Sequence, residues 1–410
     1  MSIGPLLHAF AGFGVELEYM IVDRQTLSVL PLADELLRKA AGSRVSEVRR
    51  GRLAWSNELV LHLIEIKNAI PDAALEPLPA AFQAEIRHID RLLEPLGARL
   101  MPTAMHPWMN PRTETRLWPH DNAVIYRTYD RIFDCKGHGW ANLQSMHLNL
   151  PFADDGEFAR LHAAIRLALP ILPALAASSP IAEGQASGFL DFRMEVYRAH
   201  PRRIPSIIGR VIPETVTNRA EYESRVLEPM YRDLAPFDPE GVLRHEWLNA
   251  RGAIPRFDRN AIEIRVIDVQ ECPLADLAIA AAAANLVRAL YDARWATLPA
   301  QQEMDTDALA TILVACIRDA EQAVIDDAGY LRLLGFSGHR CEAGELWRHL
   351  VEATLEEPGP WREPLEIMLE HGPLARRILR AVGRDCPEAG LRTVYRELCD
   401  CLEQGRMFLP

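Results

Sequence analysis

Several signatures by which a sequence announces its chemistry are missing from this chain. Its seven cysteines (Cys135, Cys272, Cys316, Cys341, Cys386, Cys399 and Cys401) are odd in number and irregularly spaced. The one close pair, Cys399-x-Cys401, has no second pair with which to build a zinc site. Structural thiols in a reduced, cytoplasmic protein are the expected reading. Gly12-x-Gly14 and Gly137-x-Gly139 lack the third glycine and following helix of a dinucleotide site, and no P-loop or Gly-x-Ser-x-Gly elbow occurs. Met1–Gly14 has no basic stretch of the signal-peptide kind. The longest apolar stretches, Ile165–Ala177 and Leu277–Val287, read as too short or too interrupted to span a bilayer. Lysine and arginine are outnumbered, 45 to 57, for a net charge of −12. That weighs against nucleic-acid binding, whose affinity comes mostly from neutralised phosphates. A nucleotide, which needs only a few local cations or a metal, stays open. No repeat, low-complexity tract or long polar linker interrupts the chain.

What is present is an ordinary globular balance, 49% hydrophobic and 25% charged over 410 residues. The expected organisation is one catalytic α+β unit, 1–410. All motifs fall in 1–285, and 286–410 forms a helical extension. Strands are expected at 12–22, Leu61–Ile66, Asn142–Pro151 and Ala261–Val269, with a short one at Leu100–Pro102. Helices are expected at Leu32–Ala41, Ala80–Leu96, Pro119–Phe133 and Asp155–Ala177, the last bent or ended by Pro170 and Pro173. His106–Pro111 and Ser178–Gly188 read as loops, and Arg198–Pro213 as an irregular surface segment or lid. Beyond Pro273, which suits a first helical turn, helices are expected at 273–297, 305–325, 342–356, 363–383 and 388–404.

The chemistry lies in Gly14–Val15–Glu16–Leu17–Glu18–Tyr19. Side chains alternate along a strand, so Glu16 and Glu18 share one face and Val15, Leu17 and Tyr19 the other. Ser145, His147 and Asn149 likewise oppose Met146, Leu148 and Leu150. Glu263 and Arg265 oppose Ile262, Ile264 and Val266. Glu65 is less clean, sharing its face with Leu61, Leu63 and Lys67, and Glu58 lies just before that strand. Glutamates with one histidine suit Mg²⁺ or Mn²⁺, and a neighbouring arginine suits a phosphate. Each piece alone has a blander reading. A Glu-x-Glu pair is commonly a solvated face, a lone histidine a hydrogen-bonded one, and Glu263-x-Arg265 a surface ion pair. Their recurrence on four strands favours a metal–phosphate site.

These residues resemble the glutamate–cysteine ligase type 2 family of carboxylate–amine ligases, relatives of glutamine synthetase. The likeness runs from about residue 12 to 285. It is carried by GVELEY, ELVLHLIEI, LQSMHLNLPF, ASSPIAEGQASGFLDFR and AIEIRVIDVQ, in that order. The resemblance implies a curved antiparallel sheet with helices on its convex face, and a magnesium cluster and ATP on its concave face. It implies ATP-dependent amide formation through an acyl phosphate, in the manner of a glutamate–cysteine ligase. Carried residue by residue, it implies Glu16, Glu18, Glu58, Glu65, His147 and Glu263 as metal ligands, and Arg265 at the transferring phosphate. Arg193 would sit on phosphate or on the substrate carboxylate, and Gln144 and Asn149 would line the nucleotide or substrate pocket.

Two departures leave the substrates unassigned. Asn149 stands where many members have a histidine, and Trp108–Pro111 diverges after the His-Pro pair. The partners implied are a small carboxylate, such as an amino acid, and an amine. No nucleic acid or membrane is implied, and a homo-oligomer stays open. Two other readings remain, a metal-dependent amide or phosphoester hydrolase and a non-catalytic ATP- or metabolite-binding relative. The intact acidic set disfavours the latter.

Overall fold

The computed structural model of the chain describes residues 6–355, 359–383 and 385–410. Eight strands form its main sheet: β1 (Gly14–Asp23), β2 (Glu47–Arg50), β3 (Leu53–Asn57), β4 (Leu63–Asn68), β5 (Ala98–Met101), β6 (Ser145–Pro151), β7 (Ala253–Arg256) and β8 (Ala261–Asp268). Their spatial order is β2-β3-β4-β1-β6-β8-β7, with β5 also paired to β1 and every pairing antiparallel. Glu16 pairs with both Lys67 and His147, and Met20 with both Leu63 and Met101. So β4 takes one edge of β1, and β5 and β6 share the other. The sheet is open, and with its helices it gives the mixed helical and antiparallel architecture expected.

Alternation along β1 sends Val15, Leu17, Tyr19 and Ile21 to one face, all fully buried. They join Met146, Leu148, Ile262 and Ile264 in a core closed by helices Leu78–Leu93, Asp155–Ala168 and Pro273–Tyr291. Each aliphatic side chain buried there stabilises by about 1.5–3 kcal/mol. Two of these helices correct a sequence expectation. The Asp155–Ala176 run continues past its prolines, and both it and Pro273–Tyr291 are long and apolar enough to cross a membrane. In this fold 94% and 78% of those windows are buried inside the protein.

The opposite face is divided. Glu16 and Glu18 lie on it, but Met20, Val22, Leu63 and Met101 form a second apolar cluster there. Their partners are Leu374, Ile378, Tyr395 and Leu398, from helices Leu374–Val382 and Glu388–Gln404. The mixed character of β4 is thereby explained. Leu63 lies under the C-terminal helices, whereas Glu65 and Lys67 lie beyond them.

Other differences have local causes. β2 is an exposed edge strand of mostly charged residues, the composition edges use against aggregation. β7 contains Pro255, which is tolerated because that strand too is an edge. The helix expected over 363–383 breaks at Gly372 (φ +81°) and Pro373 into Arg362–His371 and Leu374–Val382. The 342–356 helix spans Ala343–Thr354, and residue 356 lies outside the described residues. After the Ser178–Gly188 loop a short helix, Phe192–Tyr197, carries Arg193.

Arg377 ties the C-terminal helices to the core. It is fully buried, and its guanidinium donates to Glu271 Oε1 at 2.5 Å and to the Phe408 carbonyl at 2.6 Å. Arg377→Ala would strand the Glu271 carboxylate. We expect urea denaturation to show a loss of about 3–5 kcal/mol in one cooperative transition.

Candidate functional site

Register builds the site. Antiparallel pairing sets Glu65 opposite Glu18, Lys67 opposite Glu16, Glu16 opposite His147 and Asn149 opposite Glu263. The result is a cleft of about 360 Å³ lined by Glu16, Glu18, Glu58, Glu65, His147, Glu263 and Arg265, together with Ser56, Asn57, Lys67, Arg256 and Arg259. All six expected metal ligands therefore converge.

Within the cleft, ligand atoms of Glu16, His147 and Glu263 lie within 4.8 Å of one another, and so do those of Glu18, Glu65 and His147. Oxygen donors with one imidazole are a suitable set for a hard divalent cation. His147 Nδ1 donates to Glu16 Oε2 at 3.0 Å, and its Nε2 lies 2.9 Å from Ser145 Oγ. The Ser145 amide and hydroxyl both donate to Glu18 Oε2, at 2.7 and 3.0 Å. Glu65 accepts from Ser56 Oγ and Lys67 Nζ, each at 2.7 Å. Glu263 accepts from Arg265 Nε at 2.5 Å and from Arg256 at 3.3 Å. Glu58 belongs to neither triad and holds the loop end of the cleft between β3 and β4.

The electrostatics follow from burial among like charges. Burial, then the charges of Glu65 and Glu18, push the Glu58 carboxyl well up. Burial likewise raises Glu18 against its bonds from Ser145 and the pull of His147. At Glu16 burial is again the largest single cause, but the hydrogen bond from His147 together with the charges of His147 and Lys67 outweighs it, so the net shift is downward. At Glu263 burial is overcome chiefly by Arg265, and the carboxyl falls to about 2. His147 is raised, because its carboxylate neighbours outweigh the burial that opposes its charge.

Three other expected residues lie beside the cleft. Asn149 Nδ2 donates to Glu16 Oε1 at 3.2 Å and so braces a carboxylate. Gln144 is fully buried, with no partner for its side-chain amide, and is not part of the lining. Arg193 is buried and is not part of the lining. It is bound to Asp268 and reaches the Arg265 carbonyl at 3.3 Å.

Asp268 escapes a reading by alternation, which would put residues 263, 265 and 267 together. The β6–β8 register shifts between Ile264 and Ile267, so two residues of β8 face one of β6. Beyond this bulge Asp268 pairs with Ser145. It accepts from the Ser178 amide and Ser179 Oγ, both at 2.8 Å, as well as from Arg193. Gly252 packs tightly against the bulge, since a Cβ there would meet the Val266 side chain at 2.5 Å. Lys67 and Arg256 were also missed as cleft residues. The only signal for Lys67 was its period-two spacing from Glu65.

The profile of glutamate–cysteine ligase family 2 (GCS2) matches residues 12–397. An uncharacterized protein of Archaeoglobus fulgidus is 33% identical over 97% of this chain and all of its own length. A Rubrobacter xylanophilus protein, named provisionally as glutamate–cysteine ligase 2-3, is 30% identical over 46% of this chain, and the match spans about half (49%) of its length. Among solved structures, a Francisella tularensis glutamate–cysteine ligase in complex with AMP superposes with a TM-score of 0.54. That superposition covers 96% of this chain and 91% of the other at 13% identity, a likeness of fold.

Because Arg193 and Asp268 are both buried, cutting their pair leaves an uncompensated charge. Asp268→Ala should lower stability by about 3–5 kcal/mol in chemical denaturation. Asp90→Ala, whose carboxylate accepts the Leu100 amide remote from the cleft, should cost less, about 1–3 kcal/mol.

Proposed function

The chain belongs to glutamate–cysteine ligase family 2, and from that membership we propose that it is an ATP- and Mg²⁺-dependent carboxylate–amine ligase. The observation that carries this reading is the meeting of the Glu16–His147–Glu263 triad with Arg265 and Arg256 in one cleft. Metal-suited donors and phosphate-suited cations thus face the same space. Glu16, His147 and Glu263 would hold a divalent cation, with Glu18, Glu58 and Glu65 completing the acidic wall; Mn²⁺ suits the same donors. The cation would supply charge neutralisation to bound phosphates. With no P-loop to cradle them, phosphates depend on such charges.

In the reaction proposed, a substrate carboxylate takes the γ-phosphoryl group of ATP and ADP leaves. The amine nitrogen then attacks the acyl carbon and expels phosphate, leaving an amide of the γ-glutamyl kind. Arg265 is the residue assigned to the transferring phosphoryl group. Burial would lower its charge, but Glu263 beside it raises its pKa, so it stays a guanidinium cation. Arg193 contacts the Arg265 carbonyl and is assigned as a positioning residue. Asn149 holds Glu16. No enzyme nucleophile is required.

The test is ADP release with MgATP and a panel of acid–amine pairs that includes glutamate with cysteine, with mass spectrometry for the new amide. We expect ADP to accompany amide formation, and Arg265→Ala to lower kcat by about 10²–10³-fold, the scale on which a preorganised charge acts. Wild-type turnover in that variant would remove the assignment.

A further inference from the structure

Lys67 is the one lysine in the cleft, and it stands among carboxylates. β4 alternation puts it on the face of Glu65, and the β1–β4 register sets it opposite Glu16. Its Nζ donates to Glu65 Oε1 at 2.7 Å and lies 3.7 Å from Glu47. The side chain is only 26% exposed and that of Glu65 only 6%, so the contact is poorly screened. An ammonium is a compact point charge, unlike the spread charge of a guanidinium. It sits on a carboxylate oxygen where a small cation would sit.

The cleft contains two candidate donor sets, Glu16–His147–Glu263 and Glu18–Glu65–His147, which share one imidazole. In the second set Glu65 Oε1 is already taken by the Lys67 ammonium and the Ser56 hydroxyl. A divalent ion placed against that oxygen would lie a few ångströms from the ammonium. Two like charges that close, in a poorly screened contact, repel strongly. With every carboxylate ionised, the lining holds six glutamates against one lysine and three arginines, so it stays acidic with Lys67 in place.

We propose that Lys67 is a tethered cation filling the Glu18–Glu65 half of the cluster, so that the nucleotide-free protein takes one divalent cation, at Glu16–His147–Glu263, and not two. The inference rests on the metal-binding part of the ligase reading. It makes Lys67 a residue that sets metal stoichiometry, a property the acidic residues alone would assign differently.

The test counts Mn²⁺ bound to the nucleotide-free, full-length protein, by electron paramagnetic resonance of the free ion and by calorimetry. Wild type should bind one ion per chain. Lys67→Met, which keeps the stem and removes the charge, should bind two, and Lys67→Arg should remain at one. If the methionine variant folds poorly, as judged by circular dichroism, Lys67→Gln gives the same reading. Two ions in wild type, or one in both neutral variants, overturns the proposal. No Mn²⁺ in any protein overturns both it and the metal assignment. The expected counts without ADP release on any substrate pair would uphold the role of Lys67 and sink the ligase activity instead.

Discussion

Like charges gathered on one sheet face repel, and the rest of this structure follows from holding them there. Two unit charges about 5 Å apart near a protein surface repel by about 3 kcal/mol. Glu18 and Glu65 are cross-strand neighbours, and Glu16 and Glu263 flank His147. Two features offset this. The reverse side of the same strands is fully buried under helices, so each strand is anchored whatever its other face carries. Each carboxylate of the two triads also has its own donor: Ser145 for Glu18, Ser56 and Lys67 for Glu65, His147 and Asn149 for Glu16, and Arg265 and Arg256 for Glu263. The cluster is thus built before any ligand arrives, which is what electrostatic preorganisation requires.

The β8 bulge deepens that arrangement. It inserts one residue after Ile264, returning Ile267 to the helix face and Asp268 to the face of Ser145. Asp268 then fixes the Ser178–Ser179 segment and Arg193, and Arg193 in turn reaches the carbonyl of Arg265. Arg265 is therefore held at its side chain by Glu263 and at its backbone by a buried ion pair. A side chain fixed at both ends loses little freedom when a phosphate replaces its partner.

How much of this was legible depended on how regular each strand is. β1, β6 and the first half of β8 alternate strictly, so Glu16, Glu18, His147, Glu263 and Arg265 could be placed on one face from spacing alone. Asp268 could not, because an inserted residue leaves no mark in a single sequence and shifts every side chain beyond it. Lys67 was visible as a face-mate of Glu65, but its neighbours come from β1, and pairing is a tertiary fact. Arg256 was hidden for another reason: its strand is a four-residue edge with a proline in it. The C-terminal helices were legible as helices. Helical spacing tells which side is buried and not against what, so their place on the acidic sheet face came only with the fold.

That placement bears on the chemistry. Met20, Leu63 and Met101 continue the strands of Glu18, Glu65 and their neighbours, and Leu374, Ile378 and Leu398 cover them. Water is excluded from one end of the acidic face while the cleft stays open at the other. The carboxylates nearest that boundary, Glu18 and Glu65, are the most enclosed of the β1–β4 set, at 8% and 5% exposure. Charge is costly to leave uncompensated there, and there the fold supplies its own cation in Lys67. The more open Glu16–His147 end is the part that can exchange partners. On the ligase reading, a divalent ion held by Glu16, His147 and Glu263 would face phosphate oxygens drawn to Arg265 and Arg256 in the same cleft. Anion and cation would then bind with mutual support, because each removes the charge that opposes the other.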